Sequence, residues 1–374
     1  MKSFALTAAS VALTATTGIA GGIDRSGQDI SILFEKGNHV QLTFASVSPN
    51  VEGTAVAGPA DFSQSAVDYK TFSFGVKKQI NENLSFAIKM DEPYGADIRY
   101  KDGALSQLGN LLAAGASLPV GHPIHTALTS DPQGRALVDS KAIRTLLRYE
   151  FGNGFSVHGG LRAQRVSGEI LSGDGLLQAS SSFDFGYSAG VAYERPDIAL
   201  RVDLTYNSAI DHDLAGTHNL APATGKVRVP ESYNLNFQTG IAQNTLLFGK
   251  IRHVAWAGTK LQTSSAFGDI DWVEFTEDST SYELGLGRKL NDRWSIAATI
   301  GYEEGSDTGT TFLAPTGTSK SYGLGASYTG DGYKISGGLK YVTFDKKTVT
   351  SSSGLSSTFE GDALAAGLSL DFTF

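Results

Sequence analysis

The sequence predicts an all-β fold, a transmembrane antiparallel β-barrel of about fourteen strands, and three observations predict it. Apolar and polar residues alternate in run after run. Short turns and long connections also alternate along the chain. After the first twenty residues, no segment offers the ~20 uninterrupted apolar residues that a spanning helix needs. A membrane-spanning chain of this kind must therefore satisfy its backbone polar groups in a closed sheet.

The alternation is clearest in the middle of the chain. Phe183, Phe185, Tyr187, Ala189, Val191 and Tyr193 share one face of a strand, and Ser182, Asp184, Gly186, Ser188, Gly190 and Glu194 share the other. Ile198, Leu200, Val202, Leu204 and Tyr206 likewise oppose Asp197, Arg201, Asp203, Thr205 and Asn207. Tyr233, Leu235, Phe237, Thr239 and Ile241 oppose Ser232, Asn234, Asn236, Gln238 and Gly240. Period two puts one set outside and the other inside. The apolar sets end in aromatics, as in Trp294 to Tyr302 and Tyr322 to Tyr328, which suits interfacial girdles. The polar sets carry Arg144, Arg148, Arg162, Arg201, Asp203, Glu283 and Lys340. Those charges need water, so the apolar face meets lipid and the interior is hydrated. A soluble β-sandwich rarely carries so many strands with long apolar faces.

Taken in chain order, residues 1–20 read as a secretory signal. Lys2 supplies the positive start, residues 4–13 a mild apolar stretch, and Gly18-Ile19-Ala20 the small-residue cleavage pattern. Residues 21–36 precede the first strand, near 39–48, and residues 22–28 show no alternation. A disordered tail and a plug folded into the barrel both fit. Residues 37–374 form the barrel. Its short turns lie at Asn81-Glu82-Asn83, Asn153-Gly154, Arg195-Pro196-Asp197, Gln243-Asn244, Asn291-Asp292 and Asp331-Gly332. Long loops are expected near 49–67, 92–139, 171–180, 211–229, 258–276, 305–318 and 346–360. The last strand alternates Leu368, Leu370, Phe372 and Phe374 with Gly367, Ser369, Asp371 and Thr373, and its terminal aromatic resembles the signal read by the barrel assembly machinery.

Two further stretches depart from a plain pore. The strand from Leu84 runs into Asp91-Glu92-Pro93-Tyr94-Gly95, where proline removes a ladder donor and glycine weakens the strand. Either the strand ends there or a kink opens the barrel wall. The connection 102–139 is long and apolar: Leu105, Leu108, Leu111 and Leu112 have helical spacing, and Leu118, Ile124, Leu128 and Leu137 follow. It is either a hydrophobic patch that binds something or a helical hairpin packed on itself as a cap.

Here the sequence resembles the outer-membrane long-chain fatty-acid and aromatic-hydrocarbon transporters (FadL-type). The resemblance rests on Leu84-Ser85-Phe86 leading to Glu92-Pro93-Tyr94-Gly95, and on residues 186–193. It continues through Val229-Pro230-Glu231-Ser232 to Trp256, and at Leu290-Asn291-Asp292-Arg293-Trp294-Ser295. It implies a barrel with an N-terminal plug and a partly helical extracellular loop in a Gram-negative outer membrane. It further implies a hatch over residues 21–35, including Ile23, Asp24 and Arg25. A hydrophobic substrate groove would comprise Leu105, Leu108, Leu111, Leu112, Leu118, Ile124 and Leu128. A lateral gate would lie at Asp91, Pro93, Tyr94 and Gly95. The family's hatch is longer and carries an Asn-Pro-Ala element that this chain lacks.

The function expected is passive uptake of hydrophobic molecules, long-chain fatty acids or another apolar small molecule, released sideways into the bilayer. Arg162 or Arg165 would meet a substrate carboxylate. The expected surroundings are outer-membrane lipid and lipopolysaccharide, with the chain a monomer. The competing reading is a general diffusion porin for small polar solutes. With no cysteine, disulfides, thiolate metal sites and cysteine nucleophiles are excluded. The net charge of −8 leaves no nucleic-acid footprint. His122, His125 and His212, the last between Asp211 and Asp213, form no Ser–His–Asp spacing, so no enzyme and no cofactor are expected. The acids Asp269, Asp271, Glu274, Glu277 and Asp278 read as a solvated loop rather than a metal site.

Overall fold

The computed structural model describes residues 23–58, 61–309, 311–351 and 354–374. The expected signal segment 1–20, together with Gly21 and Gly22, lies outside the described residues.

Fourteen strands close into an antiparallel barrel. They are β1 (His39–Ala57), β2 (Tyr69–Gln79), β3 (Leu84–Asp91 and Gly95–Arg99), β4 (Arg135–Glu150) and β5 (Phe155–Ser172). Next come β6 (Gly175–Ser181 and Asp184–Arg195), β7 (Leu200–Asn207 and Ile210–His218) and β8 (Ala221–Val229 and Ser232–Ala242). Then follow β9 (Thr245–Val254 and Lys260–Ser265), β10 (Gly268–Glu274 and Ser279–Lys289), β11 (Trp294–Glu303) and β12 (Ser319–Thr329). The last two are β13 (Tyr333–Thr350) and β14 (Ser356–Thr373). Each strand pairs with its sequence neighbour, and β14 returns to pair with β1 from Thr373↔His39 to Ser356↔Ala57.

The barrel is inverted relative to a soluble protein. Arg144, Arg162, Lys77 and Lys340 are among its most deeply buried side chains, while Phe185, Leu324 and Leu161 stand exposed. An exposed apolar belt of this extent has lipid as its solvent. Aromatic rings border it at both ends. At the long-loop end the Tyr187 and Tyr206 rings lie 5.9 Å apart and Tyr206 and Tyr233 5.2 Å apart. At the short-turn end Phe155 sits 4.7 Å from Tyr193, and Trp294 5.1 Å from Tyr328.

The short turns lie where the sequence puts them. Asn81 Oδ1 accepts from the N–H groups of Asn83 and Leu84, and Asn291 Oδ1 does the same for Arg293 and Trp294. Ile198 is a correction: it falls in a 3₁₀ turn over Pro196–Ile198, and the strand begins at Leu200.

The stretches near 171–180, 211–229 and 258–276 are a larger correction. They are mostly strand, with tight turns only at 173–174, 219–220 and 266–267. The first strand also runs on to Ala57, well beyond residue 48. Six strands, β3 and β6 to β10, are broken partway up, and the two faces exchange at the break, or in β10 at a bulge just above it between Asp271 and Val273. In β7, Val202, Leu204 and Tyr206 face lipid, whereas Ile210 and Leu214 above the break face inward and Asp211 and Asp213 outward. In β8, Tyr233 points out and Val229 in. In β10, Leu284 points out and Trp272 in. The cause is the change of solvent. Above the membrane an apolar row can no longer face outward, and an irregular step in the strand turns it into the interior. The upper barrel therefore has an apolar core, built on Val47, Val51, Ile98, Ile170, Trp272 and Phe359 among others.

Candidate functional site

The site begins at the break in β3. Lower β3 pairs with β2 as far as Met90↔Phe74 and then loses it. On its other side β3 stays paired with β4, from Asp91↔Ala142 across the break to Gly95↔Asp139. Residues 69–73 of β2 thus have no ladder partner on β3, which leaves a gap in the wall. Above it the gap is closed by residues 65–67, where Val67 N–H donates to Asp97 O (2.9 Å) and Arg99 N–H to Ser65 O (3.2 Å).

The N-terminal segment lies inside the barrel and takes over the lost pairing. Arg25 N–H donates to Pro93 O at 2.8 Å, Gly95 N–H donates to Ile23 O at 2.7 Å, and Asp24 bridges to Tyr94. Buried backbone groups that β2 abandons are in this way satisfied from within. A β-carbon at Gly95 would overlap the Arg25 guanidinium, so a larger residue there would make that side chain move.

Lumen side chains hold the same segment. Asp24 pairs with Arg252 at 2.5 Å, and Asp29 with Lys89 at 2.7 Å. Arg144 donates to Asp91 at 2.6 Å and to Gln28 O at 2.8 Å, so one guanidinium ties β3 below the break to the segment. Ser232 and Asn234 bind Gln28 and Gly27. Lower down, the Phe34 ring is approached by two guanidinium groups, Arg148 at 4.5 Å and Arg201 at 4.6 Å. Arg25 pairs with Asp97 and lies 4.3 Å from the Tyr69 ring centre.

Above this segment is an apolar cavity of about 150 Å³. Val47, Ala66, Ile98, Ile170, Leu261 and Trp256 are among its walls, and the charged residues along it are Arg25, Asp97 and Arg228. Trp256 stands edge-on to Tyr94 at 5.6 Å and beside Phe275 at 4.9 Å. Loops close the top: Phe62 and Phe312 pack on each other at 5.8 Å and on Phe359. Tyr100 donates to Phe312 O at 2.5 Å, and burial pushes its phenol well above the ordinary range. A smaller space at the gap is lined by Ser26, Thr71, Phe72, Ser73, Asp91 and Glu92. Arg25 borders both spaces and is the residue that separates them.

Ile23, Asp24, Arg25, Asp91, Pro93, Tyr94 and Gly95 thus come together at one place. The loop leucines do not join them. Residues 108–115 and 123–129 form two helices, α1 (Leu108–Gly115) and α2 (Pro123–Thr129). Leu108, Leu112, Leu118, Ile124 and Leu128 pack with Leu171 and Leu176 in a core of their own, and Leu105 packs on the upper-barrel core. Leu111 alone of the set is strongly exposed, at 58 %. Arg165 is a correction. It is exposed on the outer wall, 5.6 Å from the Phe183 ring, while Arg162 is fully buried inside. Three residues apart on one strand, they must take opposite faces.

Ser181 and Asp184 both approach Nδ1 of His212, at 3.3 and 2.8 Å. A nucleophile and an orienting acid must address opposite ring nitrogens, so the trio is not a relay. Trp256 and Val229 enter the sequence reading only through the family resemblance, with no place in a site, and most of the other cavity walls are not singled out by it. The signal that finds them is the step at each strand break.

Comparison with known proteins agrees with this architecture. Residues 165–374 match the family model described as outer membrane protein transport protein (OMPP1/FadL/TodX). A Pseudomonas aeruginosa FadL homologue superposes with a TM-score of 0.73 at 13% identity, over 95% of this chain and 96% of that one. The Pseudomonas putida toluene transporter TodX gives 0.64 at 13% identity, over 96% and 98%. The CymD monoaromatic hydrocarbon channel gives 0.56 at 14% identity, over 91% and 89%. No curated protein matches the sequence.

Proposed function

Since the chain belongs to the outer membrane protein transport protein family (OMPP1/FadL/TodX), we propose that it takes up long-chain fatty acids and releases them sideways through the gap between β2 and β3. It is an outer-membrane β-barrel channel for hydrophobic substrates. The observation that carries the lateral route is the shared border: the apolar cavity and the wall gap meet at Arg25.

The energetics favour a side exit. Burying a tail is worth roughly 0.8 kcal/mol per methylene, so ten methylenes gain about 8 kcal/mol. Release into a wet periplasm would forfeit that gain. Release into lipid exchanges one apolar environment for another and needs no energy source. Capture starts at the α1–α2 hairpin, where Leu111 is exposed. The residues 23–35 act as the hatch, and its retreat from Pro93 and Gly95 opens the gap. A carboxylate head would meet Arg162, which has no carboxylate partner among the described residues and leaves Nε and Nη1 without acceptors.

A second substrate reading has its own support. A dry cavity of about 150 Å³ in another protein takes benzene, and this cavity is similar in size and nearly as apolar. The relatives named for toluene and monoaromatic hydrocarbons point the same way.

The test is uptake of radiolabelled fatty acid and of toluene by cells carrying Pro93→Val, which returns the missing ladder donor and leaves Gly95 and its contact with Arg25 in place, or Arg162→Ala. Restored pairing at the break stops both substrates while the barrel still assembles. Arg162→Ala lowers fatty-acid uptake and spares toluene. Undiminished uptake in the first variant contradicts the lateral route, and equal effects in the second contradict the carboxylate role. Planar-bilayer recording separates a plugged channel, with little steady conductance, from a general diffusion porin.

A further inference from the structure

The outer wall beside the gap carries two facing cations that, among the described residues, form no ion pair, although Glu92 at the break lies within electrostatic reach of Lys141. Lys141 on β4 and Arg165 on β5 are direct cross-strand partners, and both are exposed. Like charges placed opposite each other on a sheet destabilise it. Among the described residues, neither has a carboxylate within ion-pair distance. The next outward acid on β4, Asp139, turns toward Arg25 at 3.8 Å.

Elsewhere on the upper barrel most outward cations are matched. Lys320 meets Asp345 at 2.9 Å, Arg228 meets Asp211 at 3.2 Å, Lys260 meets Glu274 at 3.0 Å and Lys346 meets Glu360 at 3.6 Å. The exposed Lys70 and Lys101, which have no ion pair among the described residues, stand singly, Lys70 opposite Ser46. In a chain of net charge −8, an unmatched pair of cations at one spot is an exception.

Its height on the wall says what covers it. The pair directly below is Ile143↔Ala163, with Phe185 level with it across from Ala163 and Leu161 lower still in the lipid-facing belt. The pair directly above is Asp139↔Ser167. Lys141 and Arg165 therefore stand at the upper edge of the belt, at the long-loop end, where outer-leaflet headgroups lie. The Phe183 ring beside Arg165 gives the guanidinium a surface to rest on.

We propose that Lys141 and Arg165 form a phosphate site for a phosphorylated glycolipid of the outer leaflet, lipopolysaccharide. Arg presents paired N–H donors to phosphate oxygens, and Lys adds a point charge. The site lies one strand from the gap, since Asp91↔Ala142 and Gly95↔Asp139 bracket Lys141 on β4. A bound headgroup would fix the lipid that faces the opening.

Native mass spectrometry of the full-length protein in detergent tests this, with bisphosphorylated lipid A as the probe. The wild type retains the lipid. Lys141→Gln with Arg165→Gln lowers retention by about thirtyfold, the order set by two cations at a membrane surface. Lys320→Gln, which removes a matched charge, leaves retention unchanged, and all three proteins keep the heat-modifiable mobility of a folded barrel. Dephosphorylated lipid A binds the wild type as weakly as phosphorylated lipid A binds the double variant. Equal retention by wild type and double variant overturns the proposal. So does equal retention of the dephosphorylated lipid, or displacement by millimolar inorganic phosphate, which would mark a free-anion site.

Discussion

The guanidinium of Arg25 lies against the α-carbon of Gly95, so that a side chain at Gly95 would overlap it. Arg25 is also the residue that stands between the apolar cavity and the gap in the wall. The break in β3 and the N-terminal segment are therefore in contact through these two residues, as well as through the backbone bonds at Pro93 and Gly95.

Gly95→Val should displace Arg25 and loosen its pairing with Asp97. A charge-assisted bond of this kind is worth roughly 1.5–3 kcal/mol, so the segment should open about tenfold more often or beyond. Ser26→Cys, placed in that segment, reports it through its rate of reaction with a water-soluble maleimide. An unchanged rate in Gly95→Val would separate Arg25 from the anchoring of the segment.

Arg144 and Asp91 are both about 1% exposed, and the same guanidinium reaches Gln28 O. Removing one partner of such a buried pair costs roughly 3–5 kcal/mol. Asp91→Ala should lower stability in urea titrations by that order. Asp91→Asn with Arg144→Gln should cost less than the sum of its single substitutions, because no unpaired charge is left behind. Strict additivity would show that the pair does not act as a unit.

Filling the cavity should affect binding and spare the barrel. Ala136 is buried in its wall. Ala136→Phe should weaken binding of a fluorescent apolar probe while the protein still folds in lipid. Probe affinity equal to that of the wild type would place the binding surface elsewhere.

Leu286 stands 50% exposed in the belt. Leu286→Arg should cost about 2–4 kcal/mol of folding free energy in a bilayer. The same substitution at Asp213, on the outer face above the belt, should cost little. Equal costs at the two positions would contradict the assignment of the belt.

The belt is the part of the fold most legible in the sequence. Phe183, Phe185 and Tyr187 must find an apolar solvent, and the short turns at Asn81 and Asn291 are fixed by local hydrogen bonds. The upper strands are not legible from the same rule. In β7 the even-numbered apolar residues run from Val202 to Leu214, but the step at Ser208 and Ala209 moves them from the outer face to the inner one. An alternation read straight through the step puts Leu214 in water and so resembles a loop. The cavity escapes sequence reading for that reason. The site is mixed in the same way. Pro93 and Gly95 mark the break by composition alone, whereas the opposite faces of Arg162 and Arg165 follow from their spacing and needed only to be counted.

Because the chain has no cysteine, a single thiol can be placed at the opening without background. Glu92 lines the space at the gap. The most direct measurement is uptake by Glu92→Cys protein after reaction with a small methylthio reagent or with a bulky maleimide. Lateral release predicts that the small adduct transports and the bulky one does not, with the same protein folded in both cases. Full uptake past the bulky adduct would contradict release through the wall.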